Sequence, residues 1–232
     1  MPVQSCLKQH ILPDALVITN ANVVTPTEIL EGAAVTVSNG IIVKVGKSPW
    51  PMGARIVDAA GLLLLPGFVD IHSDAVETAI QPRPGGAFPT AMALRELDRS
   101  LVACGITSIF HSLSFCDNLK TNLRNSKNCA ELIHEINIEK SALKANTHVH
   151  LRYEISETQS LPLVEALISD SQIDFLSLMD HTPGQGQFVD IEQFRLYYGK
   201  VRGKSPQELD HLITHRIAAR RNVENAHLQH LT

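Results

Sequence analysis

The sequence predicts an α/β protein in which a small β-sheet precedes about half of a TIM-type (β/α)8 barrel. Residues 15 to 65 contain short segments rich in β-branched residues, separated by turn residues. After Pro66 the pattern changes to strand followed by helix, and it repeats four times. Such alternation favours a parallel sheet with right-handed crossovers, and four units are half of an eight-stranded barrel. We therefore expect two regions, residues 1–65 and 66–232.

The first region is predicted to be a small antiparallel sheet. Its strand segments read ALVIT, NVVT, AAVTVS and IIVKV. Asn39-Gly40 lies between two of these segments, and this dipeptide is the strongest short signal for a β-hairpin.

The second region supplies four strands, which read GFVDIH, GITSIFHSL, THVHLRYE and DFLSLMDH. We expect a long loop and a helix ending near Cys104 after the first strand, and helices over about Lys127 to Lys140, over LPLVEALISD and up to about Tyr198. The last helix is predicted to begin at Ser205-Pro206-Gln207-Glu208, which has the pattern of a capping box with proline at the first helical position. This helix is expected to reach about Gln229.

Composition and charge indicate a soluble globular chain. It is 44% hydrophobic and 19% charged, and its net charge of -4 gives no reason to expect nucleic-acid binding. The four cysteines are scattered without a C-x-x-C pair, which favours reduced thiols. We find no signal peptide and no apolar run of about 20 residues that could span a membrane. A cytoplasmic protein is expected.

His72 and Asp74 end the first barrel strand and are the first candidates for chemistry. Residues two apart in a strand project from the same face, and barrel enzymes keep their chemistry at this end of the strands. An imidazole and a carboxylate in this spacing form a plausible half of a divalent metal site. The alternative is a strand that ends in ordinary polar residues.

The third strand places His148, His150, Arg152 and Glu154 on one face. Parallel strands are normally covered on both sides, so these ionisable groups must be paired, hydrogen-bonded or bound to a metal. Glu154 is best placed to join the metal site, and Arg152 suits an ion pair or an anion contact. A half-buried surface strand would alternate in the same way.

The loops after the strands add further candidates. His181 ends the fourth strand and is followed by the glycine-rich segment TPGQGQ, while Arg83 lies in the rigid segment QPRPGG. Arginine suits bidentate recognition of phosphate or phosphonate, although a solvent-exposed loop arginine is more common. His111 could line the same rim, but a structural histidine is the more frequent case.

The basic residues of the last helix are interpreted as a solvated face rather than a phosphate site. They are Arg216, Arg220 and Arg221. His211 and His215 stand four residues apart, but the glutamate of a zinc-protease helix is absent between them, so we do not expect them to bind metal.

With these residues identified, the chain resembles the metal-dependent amidohydrolase superfamily. The resemblance covers nearly the whole chain and includes NANVVTP, SNGIIVKVG and PGFVDIH. Further segments are similar to the diphosphatases of the carbon–phosphorus lyase pathway of phosphonate degradation: GFVDIHSDAVET, QPRPG, GITSIFHSL, HLRYE and SLMDHTPGQGQF. The resemblance implies a fold in which part of a small N-terminal β-sandwich precedes the barrel.

The resemblance implies a metal-dependent hydrolase that cleaves the triphosphate of a ribose 1-methylphosphonate 5-triphosphate and releases diphosphate. It implies that one or two divalent ions, such as zinc or manganese, are held by His72, Asp74, Glu154 and His181, with Glu154 bridging the metals. Arg83, Arg152 and Gln185 are implied to bind the small phosphorylated substrate.

The resemblance also implies a truncated chain. A barrel of this type needs roughly 250 residues, whereas 166 residues run from Gly67 to Thr232. In the superfamily the later barrel strands supply an aspartate that serves as general base, and no candidate for it follows Asp210 in this sequence. We therefore expect little or no diphosphate release by this chain alone, and self-association through exposed barrel edges.

Two alternatives remain open. One is a cyclic-amide hydrolase or deaminase of the same superfamily, which would have H-x-H and a ligand lysine where this chain has His72-Ser73-Asp74 and Glu154. The other is a non-catalytic fragment or an interaction partner of a full-length copy.

Overall fold

Two compact units make up the fold, and they divide between Gly67 and Phe68. The computed structural model describes residues 14–47, 50–83, 85–115, 122–201, 203–221 and 223. The first unit is a five-stranded sheet, and the second contains a curled four-stranded parallel sheet with helices. The predicted α/β fold class with a half barrel is therefore confirmed.

The first unit contains five strands: β1 (Leu16–Val24), β2 (Ile29–Ser38), β3 (Ile41–Gly46), β4 (Arg55–Asp58) and β5 (Leu63–Leu64). ALVIT and NVVT, predicted as separate strands, form the single strand β1, whose register with β2 is irregular between Ile18 and Val23. The hairpin between β2 and β3 is confirmed, because Asn39 and Gly40 adopt φ values of 50° and 75° that a tight primed turn requires.

The expectation of a purely antiparallel sheet is wrong. Strands β4 and β5 pair with β1 in parallel, and only the β1–β2 and β2–β3 pairs are antiparallel. Alternation of side chains predicts a strand but not its direction, because direction depends on where the connecting chain returns.

The second unit contains β6 (Phe68–Ser73), β7 (Ile106–Phe115), β8 (Asn146–Glu154) and β9 (Phe175–Met179). They lie side by side in chain order, and each pairs with the next in parallel. All four predicted barrel strands are confirmed, and their carboxyl ends therefore meet at one edge of the sheet.

Six helices accompany these strands: α1 (Ala75–Ile80), α2 (Thr90–Ala103), α3 (Ser126–Glu139), α4 (Leu161–Ser169), α5 (Ile191–Leu196) and α6 (Pro206–Arg221). A π-helical turn at Tyr197–Val201 follows α5. The short helix α1 replaces part of the expected loop, and α6 ends at Arg221, whereas the predicted end near Gln229 lies outside the described residues.

The start of α6 confirms the predicted capping box. The backbone N–H of Glu208 donates to Ser205 Oγ at 3.3 Å, and the N–H of Ser205 donates to Glu208 Oε2 at 2.7 Å. Each residue thus satisfies a donor that the first helical turn leaves without a partner.

Strand β8 has two different buried faces. Val149, Leu151 and Tyr153 pack into the apolar core against helices α1 to α4. The alternate residues His150, Arg152 and Glu154 occupy the opposite face, and His150 and Glu154 are buried. The polar side chains on this second face are therefore the ones that need partners within the protein.

The cysteines bear out part of the sequence interpretation. Cys104 is exposed, Cys129 is buried in the core, and both are free thiols. Burial raises the pKa of the Cys129 thiol. Cys6 and Cys116 lie outside the described residues.

Exposed apolar side chains on strand β6 generate the first prediction. Val69 and Ile71 are 60% and 63% exposed, and within the described chain β6 pairs only with β7. A strand with one unpaired edge and exposed apolar side chains favours association between molecules. Val69→Thr with Ile71→Thr should therefore shift the protein toward monomer in size-exclusion chromatography with light scattering.

Ile138 provides the matched control for this experiment. It is 61% exposed but lies on helix α3, away from any strand edge. Ile138→Thr should leave the association unchanged. Monomeric wild-type protein with cooperative melting would contradict the prediction.

Buried His111 on strand β7 generates a prediction about pH. It is 1% exposed, and among the described residues its Nδ1 has no hydrogen-bond partner. Burial lowers its pKa from 6.5 to about 4. Because the unfolded chain takes up the proton at higher pH, stability should be unaffected above pH 6.5 and decrease from there toward pH 4. The loss is on the order of 3 kcal/mol.

The prediction is checked by denaturant unfolding across this pH range. His111→Gln removes the titrating group and should flatten the dependence of the unfolding free energy on pH. His134→Gln is the control, since His134 lies exposed on α3. Equal slopes for wild type and His111→Gln would show that the buried imidazole does not govern this dependence.

Candidate active site

A pocket of about 330 Å³ lies at the carboxyl ends of the strands in the second unit. This is the edge where parallel barrels carry their chemistry. Three arginines and a single carboxylate are among the side chains around it: Asp74, Ser114, Arg124, Arg152, Met179, His181, Gln187, Phe188, Tyr197, Tyr198 and Arg216. The pocket is therefore locally cationic in a chain of net negative charge.

Asp74 lies between two of these arginines. Its carboxylate is 3.8 Å from Arg124 Nη2 and 3.9 Å from Arg152 Nη1. Arg124 also donates from Nε to both carboxylate oxygens of Glu77, at 3.1 and 2.8 Å. Burial raises the pKa of Glu77, and the hydrogen bond from Arg124 opposes part of that rise. Neither Arg124 nor Glu77 was predicted from the sequence to lie at the site.

Glu154 and His181 are in direct contact at the site. His181 Nδ1 lies 2.7 Å from Glu154 Oε2, and Glu154 is only 2% exposed. Ser156 Oγ donates to Glu154 Oε1 at 3.1 Å, and the backbone N–H of His181 lies 3.3 Å from Oε2. A buried carboxylate needs such donors, so the loop after β9 is held against the end of β8.

His72 takes a different partner. Its ring makes an edge contact with the ring of His150, with a centroid distance of 5.4 Å. His150 is hydrogen-bonded on both ring nitrogens, through Nδ1 to Ser112 Oγ at 3.0 Å and through Nε2 to Ser177 Oγ. Burial, followed by the charge of His72, lowers the pKa of His150. Both ring nitrogens of His150 thus bond to serines of the neighbouring strands, and neither is free to bind an ion.

The four predicted metal ligands are not gathered around one point. Glu154 bonds to His181, Asp74 faces arginines, and His72 contacts His150. In the part of the chain that the structure describes, no group of three or more His, Cys, Asp or Glu side chains is positioned to hold a metal ion. Their donor chemistry nevertheless fits a divalent ion, because imidazole nitrogens and carboxylate oxygens are the ligands that zinc and manganese accept.

Gln185 has a structural partner instead of an open position in the pocket. Its Nε2 donates to Asp180 Oδ2 at 2.5 Å, and Arg220 Nε donates to the same oxygen at 2.8 Å. Burial raises the pKa of Asp180, but hydrogen bonds from Thr182, Arg220 and Gln185 outweigh it and lower the pKa overall. The glycine-rich loop is therefore tied to helix α6.

Gly186 shows why this loop needs glycine. Its φ of +56° lies in the left-handed region, and a Cβ there would approach the carbonyl oxygen of Asp180 to 2.9 Å. The loop closes tightly over the end of β9, which explains the glycine without any phosphate.

Arg83 and His111 do not line the pocket in the described chain. Arg83 is exposed, and its backbone carbonyl accepts a hydrogen bond from Gly86 at 3.2 Å. The possible rim position of His111 is wrong, because β7 carries this side chain into a buried environment. The alternative, a structural histidine, fits its place in the fold.

The interpretation of the last helix as a solvated basic face is wrong for two of its three arginines. Arg216 is 4% exposed and lines the pocket, and Arg220 pairs with Asp180 at 2.8 Å. Arg221 alone is exposed as expected. A helix has several faces, and the sequence did not indicate which face packs against the strand ends.

Across the described residues, no helix is both long enough and apolar enough to cross a membrane.

Comparison with curated proteins identifies sequence relatives. The chain is 31% identical over 185 residues to the alpha-D-ribose 1-methylphosphonate 5-triphosphate diphosphatase of Escherichia coli (strain K12). The aligned region covers 79% of this chain and 48% of that protein. The chain is 30% identical over 121 residues to the dihydroorotase of Aquifex aeolicus (strain VF5), covering 46% of this chain and 29% of that protein. No protein-family model matches the chain.

Among solved structures, N-acetylglucosamine-6-phosphate deacetylase from Pasteurella multocida aligns with a TM-score of 0.49 at 16% identity, over 71% of this chain and 44% of that one. The chain spans about half the length of the diphosphatase that it matches, and less of the dihydroorotase. The resemblance predicted from the sequence is confirmed in the match to this diphosphatase, to which the chain is similar over about half of the diphosphatase's length.

Proposed function

We propose that this chain is part of a metal-dependent hydrolase that cleaves ribose 1-methylphosphonate 5-triphosphate and releases diphosphate. The observation that carries the proposal is the pocket at the strand ends, in which arginines lie beside an aspartate and a histidine that could bind a metal ion. The similarity to the diphosphatase of Escherichia coli supports the same substrate. A triphosphate is strongly anionic, so a cationic pocket favours it over a neutral substrate.

We propose that Asp74, Glu154 and His181, together with His72, hold one or two divalent ions. Asp74 and His181 line the pocket, and Glu154 bonds to His181, so three of the four donors already lie at one edge of the sheet. A bound divalent ion would neutralise phosphate charge and lower the pKa of a coordinated water.

The protein's own residues would bind and orient the substrate. Arg152 reaches the pocket from β8, and its one ion pair among the described residues is a long contact of 3.9 Å to Asp74, so its guanidinium retains donors for phosphate oxygens. Arg124 lies near the other carboxylate oxygen of Asp74, at 3.8 Å. The predicted substrate contacts of Arg83 and Gln185 stay predictions, since neither side chain lines the pocket in the described chain.

Hydrolysis of a cyclic amide is the second candidate function. The similarity to dihydroorotase is the observation that favours it. Against it stand the His72-Ser73-Asp74 sequence, the glutamate at position 154 and the arginines around the pocket. The two candidates therefore differ in the charge of the substrate that the pocket accepts.

The metal site generates a prediction about ion binding. Titration calorimetry with Mn²⁺ or Zn²⁺ should show binding that Glu154→Gln or His181→Asn weakens at least about tenfold, because each variant removes a proposed ligand. Glu96→Gln is the control, since Glu96 is exposed and pairs only with Arg99 among the contacts of the described chain. Unchanged affinity in both ligand variants would contradict the assignment.

The substrate class generates a second prediction. With Mn²⁺ present, inorganic triphosphate should bind to the chain, whereas dihydroorotate should not. Among the described residues Asp74 is the only aspartate that lines the pocket, and it is already proposed as a metal ligand. Because no lining aspartate is then left to act as general base, we expect little diphosphate release by this chain alone. Ring opening of dihydroorotate, or metal-dependent diphosphate release at the rate of a full-length homologue, would show these expectations to be wrong.

A further inference from the structure

Arg216 of helix α6 is a buried cation with an unusual set of neighbours. Its Nη1 lies 3.0 Å from the Tyr198 hydroxyl and 3.3 Å from the carbonyl oxygen of His181. The guanidinium also lies over two aromatic rings, 5.1 Å from the centroid of Tyr198 and 5.7 Å from that of Phe194. All of these partners are neutral.

No carboxylate lies within 4.0 Å of the Arg216 guanidinium among the residues that the structure describes. The residue is only 4% exposed. A buried charge without an opposite charge is costly, and aromatic rings and a carbonyl offset only part of that cost. An anion in the pocket would complete the compensation.

The other arginines around the site differ in this respect. Arg124 is bonded to Glu77 at 2.8 Å, and Arg220 is bonded to Asp180 at the same distance. Arg152 keeps a contact of 3.9 Å to Asp74. Arg216 therefore combines two properties that none of these three combines: it lines the pocket, and no carboxylate of the described residues neutralises it.

The aromatic side chains fix the guanidinium in place. Phe194 and Tyr198 are stacked with centroids 4.3 Å apart, and both are buried, with Tyr198 in the π-helical turn after α5. The Arg216 guanidinium is already held by the aromatic rings and by hydrogen bonds through one nitrogen. It therefore loses little conformational freedom when its remaining N–H groups bind a ligand.

We propose that Arg216 anchors a phosphoryl group of the ligand inside this pocket, through the N–H groups that Tyr198 and His181 do not use. This inference rests on the proposed function for the polyphosphate substrate, but it concerns an anion contact that needs no metal. The remaining nitrogens of the fork suit two oxygens of one phosphoryl group.

Binding of inorganic diphosphate in the presence of EDTA tests the proposal. Titration calorimetry should show binding to wild-type protein, and Arg216→Met should weaken it about 10- to 100-fold, the range expected for loss of a charge-assisted hydrogen bond. Arg221→Met is the matched control, because Arg221 lies on the same helix but is exposed. Its affinity should equal that of wild type.

Arg216→Lys keeps the protein testable where the methionine variant does not fold. Lysine retains the positive charge but lacks the planar fork, so diphosphate affinity should fall by about fivefold or more. A purely structural role for Arg216 predicts lower thermal stability with unchanged diphosphate affinity. That result, or wild-type protein that does not bind diphosphate, would overturn the proposal.

The outcomes also separate this inference from the proposed function. Loss of EDTA-resistant diphosphate binding in Arg216→Met supports the anchor, whatever the protein does with Mn²⁺ and triphosphate. Binding of dihydroorotate would overturn the proposed substrate and leave the diphosphate result to be judged by itself.

Discussion

The buried carboxylate of Glu154 is the constraint on which the arrangement of the pocket depends. Strand β8 presents its apolar face to the helices, so its polar face cannot turn to solvent and must find partners in the protein. Glu154 finds them in His181 and Ser156, at 2.7 and 3.1 Å. The loop after β9 is thereby held over the strand ends.

Helix α6 closes the same region through a second set of charges. Asp180 accepts hydrogen bonds from Gln185 and Arg220, which links the glycine-rich loop to the helix. Arg216, one turn earlier, bonds to the backbone of His181. The segment from Asp180 to Gly186 is therefore fixed from both sides, by β8 through Glu154 and by α6 through two arginines.

Local charge, rather than net charge, determines what the pocket can bind. The chain as a whole is negative, yet three arginines surround a space of about 330 Å³ into which Asp74 brings the single lining carboxylate. Arg124 is largely neutralised by Glu77, whereas Arg216 is not neutralised by any carboxylate of the described chain. Arg216, on the α6 side of the pocket, therefore carries the least compensated charge, and its low exposure reduces screening by water.

The sequence by itself determined the four barrel strands, the Asn39-Gly40 hairpin, the capping box of α6 and the position of His72, Asp74, Glu154 and His181 at strand ends. These features follow from local periodicity and turn chemistry, which a short segment contains completely. Only the tertiary structure decided the parallel pairing of β4 and β5, the bond between Asp180 and Gln185, and the burial of Arg216 and His111. Arginines on one helix look alike in sequence, because their roles depend on which distant carboxylate or ring each one meets when the chain folds.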